Sequence, residues 1–181
     1  TGPEQKAWLD RLEAEHDNLR AALAWAAAVA GDAPSGLRLA GNLFWFWYIR
    51  GYLGEGRAWL SELLAAVPAD DAAVRAKALQ SGGSLAWQQG DYVAARALHE
   101  EALALWRALG NRPSIAVSLN NLGLVTRDQG DFRSAESLFE QSLAIHRETG
   151  SPRVVADALS NLGMVAKDRG DYATARARYR E

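Results

Sequence analysis

Asn121 and Asn161 stand 40 residues apart, each on a stretch of helical periodicity and each followed by Leu-Gly. A carboxamide donates and accepts at once, so each can bond twice to an extended peptide backbone, reading its path without its sequence. Leu124, Arg127 and Asp128 follow Asn121 at roughly one helical turn, and Met164, Lys167 and Asp168 follow Asn161 in the same way. The competing reading is internal: these groups bond neighbouring turns or one another, Arg127 with Asp168 for instance. Catalysis finds no comparable set. His16, His99 and His146 lie far apart, and no H-E-x-x-H, no G-x-S-x-G and no pair at metal-ligand spacing occurs. Glu100-Glu101 and Asp70-Asp71 suit solvated positions or a helix cap. The expectation is no catalytic residue, no metal site, no cofactor and no enzyme.

The chain repeats itself every 40 residues. Gly90-Asp91-Tyr92, Gly130-Asp131-Phe132 and Gly170-Asp171-Tyr172 hold identical spacing, Asn121-Leu122-Gly123 recurs as Asn161-Leu162-Gly163, and Asp128 recurs as Asp168. A fixed period of this kind means stacked supersecondary units, each unable to bury its apolar face alone. The 181 residues therefore read as one continuous array. Their 49% hydrophobic and 23% charged content is too balanced for disorder. A net charge of -2 leaves no basic excess to displace phosphate counterions, so no direct nucleic-acid contact is expected. The absence of cysteine removes disulfide and thiolate chemistry and fits a reducing cytoplasm. No stretch approaches the roughly 20 apolar residues that span a bilayer, the run Leu43 to Ile49 included. No membrane role is expected.

The unit from Pro113 to Gly150 shows the local logic. Pro113 suits the first turn of a helix, where its missing N–H costs nothing. Ile115, Leu119, Leu122 and Val125 then recur at helical period until Gln129-Gly130. Asp131 can cap a second helix, whose inward residues are Phe132, Ala135, Leu138, Phe139 and Leu143. Gly150 ends it, and Ser151-Pro152 opens the next unit as N-cap and first turn. Each unit is thus an antiparallel helix pair. Upstream, Gly36 to Arg50 and Gly54 to Val67 form a divergent first pair. Glu4 to Ala30 is one long helix, or two broken near His16-Asp17, ended by Gly31-Asp32-Ala33-Pro34. The count is nine or ten helices and no strands.

Gly123, Gly130-Asp131-Phe132, Ala135 and Phe139 resemble the tetratricopeptide repeat pattern, as do their counterparts one period away. The likeness covers about Asp71 to Glu181, and Gly36 to Val67 faintly. It implies an all-α fold, a right-handed solenoid of antiparallel helix pairs, with Gly123 and Gly163 facing Ala135 and Ala175. The family repeat is usually about 34 residues, so the helices here are longer. The consensus tryptophan and tyrosine of the first helix are replaced by Leu119 and Thr126, then by Leu159 and Ala166. The resemblance further implies that the polar stripe lines a concave groove. Carried along the period, that groove begins with Gly41, Phe44, Trp47 and Tyr48, then Ser81, Ser84, Trp87 and Gln88. Asn121, Leu124, Arg127 and Asp128 come next, and Asn161, Met164, Lys167 and Asp168 last. It is aromatic at its start and of mixed charge further on.

A second likeness lies at the N-terminus. Trp8-Leu9-Asp10-Arg11-Leu12, then Glu15-His16-Asp17-Asn18-Leu19-Arg20-Ala21-Ala22-Leu23, resembles a segment of large bacterial transcriptional regulators of the STAND or NB-ARC type, LuxR- and SARP-like. Gly51-Tyr52-Leu53 and Glu55-Gly56-Arg57-Ala58-Trp59-Leu60 are similar to the same proteins further on. In these, a nucleotide-binding ATPase module precedes a winged helix and then tetratricopeptide repeats. No G-x-x-x-x-G-K-[ST] phosphate loop occurs in this sequence, so nucleotide hydrolysis is expected upstream of Thr1. The helix opened by Gly170-Asp171-Tyr172 stops at Glu181, which suggests a fragment of a longer protein.

Phe44-Trp45-Phe46-Trp47-Tyr48 places five aromatics around one helix, and a helix apolar all round must be covered all round. Either Trp8, Trp25 and Trp59 enclose it, or Trp47 or Tyr48 stays exposed for the upstream module, an apolar peptide or a sugar. In Ser81-Gly82-Gly83-Ser84, Gly82 replaces Leu122 of the next repeat and makes room for these aromatics, or acts as a hinge. The organisation expected is a helical segment over 1–33, a divergent pair over 34–69 and repeats over 70–110, 111–150 and a shortened 151–181. The functional expectation is a protein- or peptide-binding module, the sensor or regulatory arm of a cytoplasmic signal-transduction ATPase that controls transcription. The alternatives are a homo-oligomerising scaffold, and a small-molecule sensor using the aromatic helix.

Overall fold

The computed structural model describes residues 3–28, 32–66, 71–149 and 152–181. Among them every element is a helix: α1 (Pro3–Ala14), α2 (His16–Ala28), α3 (Ala33–Asn42), α4 (Phe44–Arg50), α5 (Leu53–Ala66), α6 (Ala72–Gln88), α7 (Tyr92–Ala108), α8 (Arg112–Asp128), α9 (Phe132–Thr149), α10 (Pro152–Asp168) and α11 (Tyr172–Arg180). The fold is all-α, and it divides into two compact units, residues 1–89 and 90–181. The division falls in the turn of the 70–110 repeat.

The turns follow from the sequence punctuation. Gly130 and Gly170 take φ of 85° and 81°, a left-handed conformation that a Cβ would oppose. That conformation lets the N–H of Asp131 return to Thr126 O at 3.1 Å and that of Asp171 to Ala166 O at 2.8 Å, so late carbonyls of α8 and α10 are satisfied. The same aspartates then start the next helix: Asp131 accepts from Ser134 N at 3.1 Å, and Asp171 from Thr174 N at 3.0 Å. Hydrogen bonds from the side chain and backbone of Ser134 hold the Asp131 carboxyl below its usual pKa. Val67, Ala30, Gly31, Gly150 and Ser151 lie outside the described residues. Pro152 does open α10, as expected of it.

Within the second unit, α8 and α9 close around Ala135, Phe139 and Leu143, which also meet Ala158, Leu159, Leu162 and Val165 of α10. Phe132 and Leu138 are half-buried. The nearest neighbours of the two glycines on first helices are rings, where the expectation named alanines. A Cβ on Gly123 would come within 2.6 Å of Phe139 Cε1, and one on Gly163 within 2.5 Å of Tyr179 Cε1. Each glycine therefore seats a ring of the second helix, and Ala135 and Ala175 are buried as well. Polar struts bridge successive pairs. Arg96 Nη2 donates to Gln129 Oε1 at 2.5 Å, and one period on Arg169 Nη1 donates to Glu136 Oε2 at 2.6 Å.

The first unit departs from this plan. Its helices outnumber the expectation because Gly36 to Arg50 is two helices, broken at Leu43 (φ -79°, ψ 0°); the upstream stretch is the two-helix alternative, broken at Glu15. The break at Leu43 re-aims the aromatic run: Phe46 and Trp47 are buried, whereas Trp45, Tyr48 and Ile49 are exposed. Trp8 and Trp25 are each 59% exposed and enclose nothing, a correction to the covering expected of them. Here the glycine–ring seat is reversed, since Gly56 of α5 would place a Cβ 2.5 Å from Trp47 Cε3 of α4.

No side chain of α1 described by the structure is fully buried, so polar bonds hold it. Tyr52 Oη donates to Glu13 Oε1 at 2.6 Å, and Arg50 pairs with Asp10. From α2, His16 Nε2 lies 2.8 Å from Glu55 Oε1, and Arg20 donates to both carboxylate oxygens at 3.1 and 2.6 Å. Burial pushes the Glu55 carboxyl up, but bonds and charge from Arg20 and His16 outweigh it and bring the pKa below its usual value.

His99 stands where Phe139 stands one repeat later, and it is 1% exposed with Nδ1 unpartnered. Burial lowers its pKa to about 4. The unfolded chain takes up this proton near pH 6.5 and the folded imidazole refuses it until about 4, so acidification across that window favours unfolding. His99→Phe should remove about 3 kcal/mol of that acid-induced loss. Urea midpoints at several pH values test it: profiles that stay parallel for the two proteins contradict the assignment.

Candidate functional site

The stripe of the second unit is built by α8 and α10 lying side by side. Asn161 Nδ2 donates to Asn120 Oδ1 at 2.7 Å and is only 9% exposed. Arg127 reaches across from α8: Nη1 lies 3.5 Å from Met164 Sδ, and Nε lies 3.9 Å from Asp168 Oδ2. Its Nε and Nη2 also hold Asp128 Oδ1 at 3.0 and 2.7 Å. Asn121, Leu124, Asp128 and Met164 are half-buried, and Lys167 and Asp168 are exposed. Leu124 packs against the α9–α10 core, as does Val155. The outcome is a strip with an apolar floor and alternating charge, Arg127 and Lys167 against Asp128 and Asp168. A ligand of low net charge suits it better than a strongly ionic one, which would have to displace a carboxylate from Arg127.

The first-unit candidates separate. Trp47 is 1% exposed against Gly56, with no face left for a ligand; it is a core residue, which corrects its placement in the groove. Tyr48 is 37% exposed in a cluster of three rings: it stacks on Phe44 (5.8 Å, 15°) and meets Trp45 edge-on (5.7 Å, 78°). Trp87 is half-buried and Gln88 is exposed at the end of α6. Two residues escaped sequence reasoning. Asn120 partners Asn161, and the doubled Asn120-Asn121 was the only signal. Trp45, not Trp47, presents the indole, because the break at Leu43 rotates the run. No group of three or more His, Cys, Asp or Glu able to hold a metal ion occurs among the described residues. A hollow of about 250 Å³ between α9 and α11 is lined by Glu140, Leu143, Ala144, Arg147 and Arg178. Its arginines already face carboxylates, Arg178 with Glu140 at 3.8 Å and Arg147 with Glu181.

Residues 74–148 and 155–181 match family models of the tetratricopeptide repeat. Both stretches are tetratricopeptide repeats. Proteins of Mycobacterium bovis and Mycobacterium tuberculosis that are named as HTH-type transcriptional regulators are 35% identical over 121 residues, 62% of this chain and 14% of theirs. The chain thus spans about a seventh of the length of these relatives. Among solved structures, BtubC from P. vanneervenii superposes with a TM-score of 0.75 at 21% identity, over 97% of this chain and 72% of that one. The apo form of RapI gives 0.71 at 14% identity, over 82% and 42%. MamA gives 0.65 at 19%, over 95% and 84%. These likenesses establish the fold. Tetratricopeptide folds generally bind protein partners and are generally non-enzymatic scaffolds. No helix among the described residues is long and apolar enough to cross a membrane.

Burial divides the candidate residues into energetic classes. Trp47→Ala should cost about 3–5 kcal/mol by leaving a cavity, and Asn161→Ala about 1 kcal/mol by leaving Asn120 without its partner. Gln88→Ala should stay within about 0.5 kcal/mol, and Tyr48→Ala, which loses its contacts with Phe44 and Trp45, should fall between, at about 1 kcal/mol. Urea unfolding of the four variants reads this directly; equal costs would contradict the division.

Proposed function

We propose that this array is a protein-binding module that serves as the regulatory arm of a bacterial ATPase-type transcriptional regulator, with no catalytic role of its own. The observation that carries the binding reading is the α8–α10 stripe. It keeps half-buried Leu124 and Met164 at the surface beside Arg127, Asp128, Lys167 and Asp168, while Leu119, Leu122 and Val125 of α8 and Leu159, Leu162 and Val165 of α10 are buried in packing. An extended segment laid along it would cover the apolar floor and meet both signs of charge. Asn121 remains available to bond its backbone, whereas Asn161 is occupied by Asn120.

The regulatory part of the reading draws on the name that the mycobacterial relatives carry and on the N-terminal likeness of Trp8 to Leu23. In that arrangement the partner is the ATPase and winged-helix module of the same polypeptide, in the cytoplasm. A bound ligand would shift the contact between arm and module. Nucleotide hydrolysis would belong to that module, since the phosphate loop is not in this sequence.

The test has two parts. The reading frame ahead of Thr1 should encode a G-x-x-x-x-G-K-[ST] loop; a frame without one contradicts the regulator. Calorimetric titration of that module against this chain should weaken about tenfold on combining Lys167→Glu with Asp168→Lys, since reversed rim charges misregister the partner. The melting temperature should stay unchanged, and unaltered affinity contradicts the stripe.

A further inference from the structure

In the first unit, α3, α4 and α6 contain no Asp or Glu. The first helices of the second unit differ, with Asp128 in α8 and Asp157 and Asp168 in α10. Three of the four cations on the acid-free helices are engaged. Arg38 pairs with Asp71 at 3.1 Å, Arg50 pairs with Asp10 and Glu13, and Arg75 donates to Leu64 O at 3.0 Å. Lys77 bonds only the neutral carboxamide of Asn42, and its charge meets no carboxylate among the described residues. It lies over the end of α3, with Cγ 3.8 Å from where a Cβ on Gly41 would be. Its neighbour one turn on, Ser81, donates to Gly41 O at 3.1 Å.

The chain turns from that point into α4. At 100° per residue, Phe44, Trp45, Tyr48 and Ile49 share one arc of about 140°, and Phe46, Trp47 and Arg50 occupy the opposite one. The buried arc is filled. The outer arc is not: Trp45 is 60% exposed, Ile49 45% and Tyr48 37%. This leaves roughly 300 Å² of mostly aromatic surface, the size of the largest patch on an ordinary monomer and commonly functional at that size. The rings are already ordered against one another, Phe44 on Trp45 at 5.0 Å and both on Tyr48, so little side-chain entropy remains to be lost on binding.

We propose that the outer face of α4 and Lys77 together capture an acidic peptide segment bearing aromatic or branched aliphatic side chains. The segment's carboxylate replaces Asn42 as the partner of the Lys77 ammonium, and its apolar side chains cover Trp45, Tyr48 and Ile49. The charge pattern selects this occupant: Lys77, on Asn42 at the turn that leads into the ring-bearing helix, attracts carboxylates, and the acids nearest these helices, Asp10, Glu13 and Asp71, are already held by Arg50 and Arg38. A lipid surface is a poorer match, because electrostatic attachment to anionic bilayers takes about four to eight clustered cations. The proposal rests on the protein-binding reading above but uses residues distinct from the α8–α10 stripe.

Fluorescence anisotropy on the whole chain tests it. The probe is a short fluorescein-labelled peptide alternating Asp and Glu with Leu and Phe, beside a control in which Lys and Arg replace the acids. The acidic peptide should bind at least about tenfold more tightly and weaken with added salt. Lys77→Glu and Trp45→Ser should each lower its affinity about tenfold with the melting temperature unchanged, since both side chains are exposed. No binding, equal binding of the two peptides, or indifference to Lys77→Glu overturns the proposal. So does stronger retention on phosphatidylglycerol vesicles than on the peptide. The stripe variant combining Lys167→Glu with Asp168→Lys should leave acidic-peptide affinity intact. If it alone abolishes binding, the α4 site is overturned while the protein-binding module stands.

Discussion

A ring seated on a bare backbone is the contact on which the helix pairs depend. Gly123 receives Phe139, Gly163 receives Tyr179, and Gly56 receives Trp47, each at a distance that no Cβ would tolerate. A glycine inside a helix costs about 1 kcal/mol relative to alanine. Burying an aromatic side chain whole, as Phe139 and Trp47 are and half-exposed Tyr179 is not, removes about 150–250 Å² from water, which at about 25 cal/mol per Å² contributes several times as much. The exchange favours the ring. It also fixes register, because a helix pair shifted by one residue would set a side chain against the ring.

With the pairs so fixed, the turns and struts become repetitive as well. A left-handed glycine closes one helix and an aspartate opens the next at Gly130-Asp131 and at Gly170-Asp171. The bridging strut persists even when its chemistry is inverted, Arg96 with Gln129 becoming Glu136 with Arg169. The surface left over on first helices is then free to vary. In the second unit it carries balanced charge over an apolar floor. In the first it carries rings and one unanswered lysine. One architecture thus presents two chemically different faces.

Much of this was legible in the residues themselves. The 40-residue period fixed the turns, because glycine and aspartate act locally and need no tertiary context. The hidden parts were those that depend on what a side chain meets. Nothing in Gly123 says whether an alanine or a phenylalanine approaches it. The break at Leu43 uses a residue with good helix propensity, so no local signal marks it, yet it decides that Trp45 and not Trp47 reaches solvent. The tryptophans Trp8 and Trp25 have the composition of a cover and are exposed. Asn161 has the chemistry of a peptide reader, but a second amide, Asn120, lay close enough to take it.

The seat of Phe139 on Gly123 is best measured by a double-mutant cycle in urea. Gly123→Ala alone should destabilise despite alanine's better helix propensity, and combining it with Phe139→Leu should recover part of that loss, giving a coupling of about 1 kcal/mol or more. Strictly additive effects, or a Gly123→Ala variant more stable than the parent, would contradict the account.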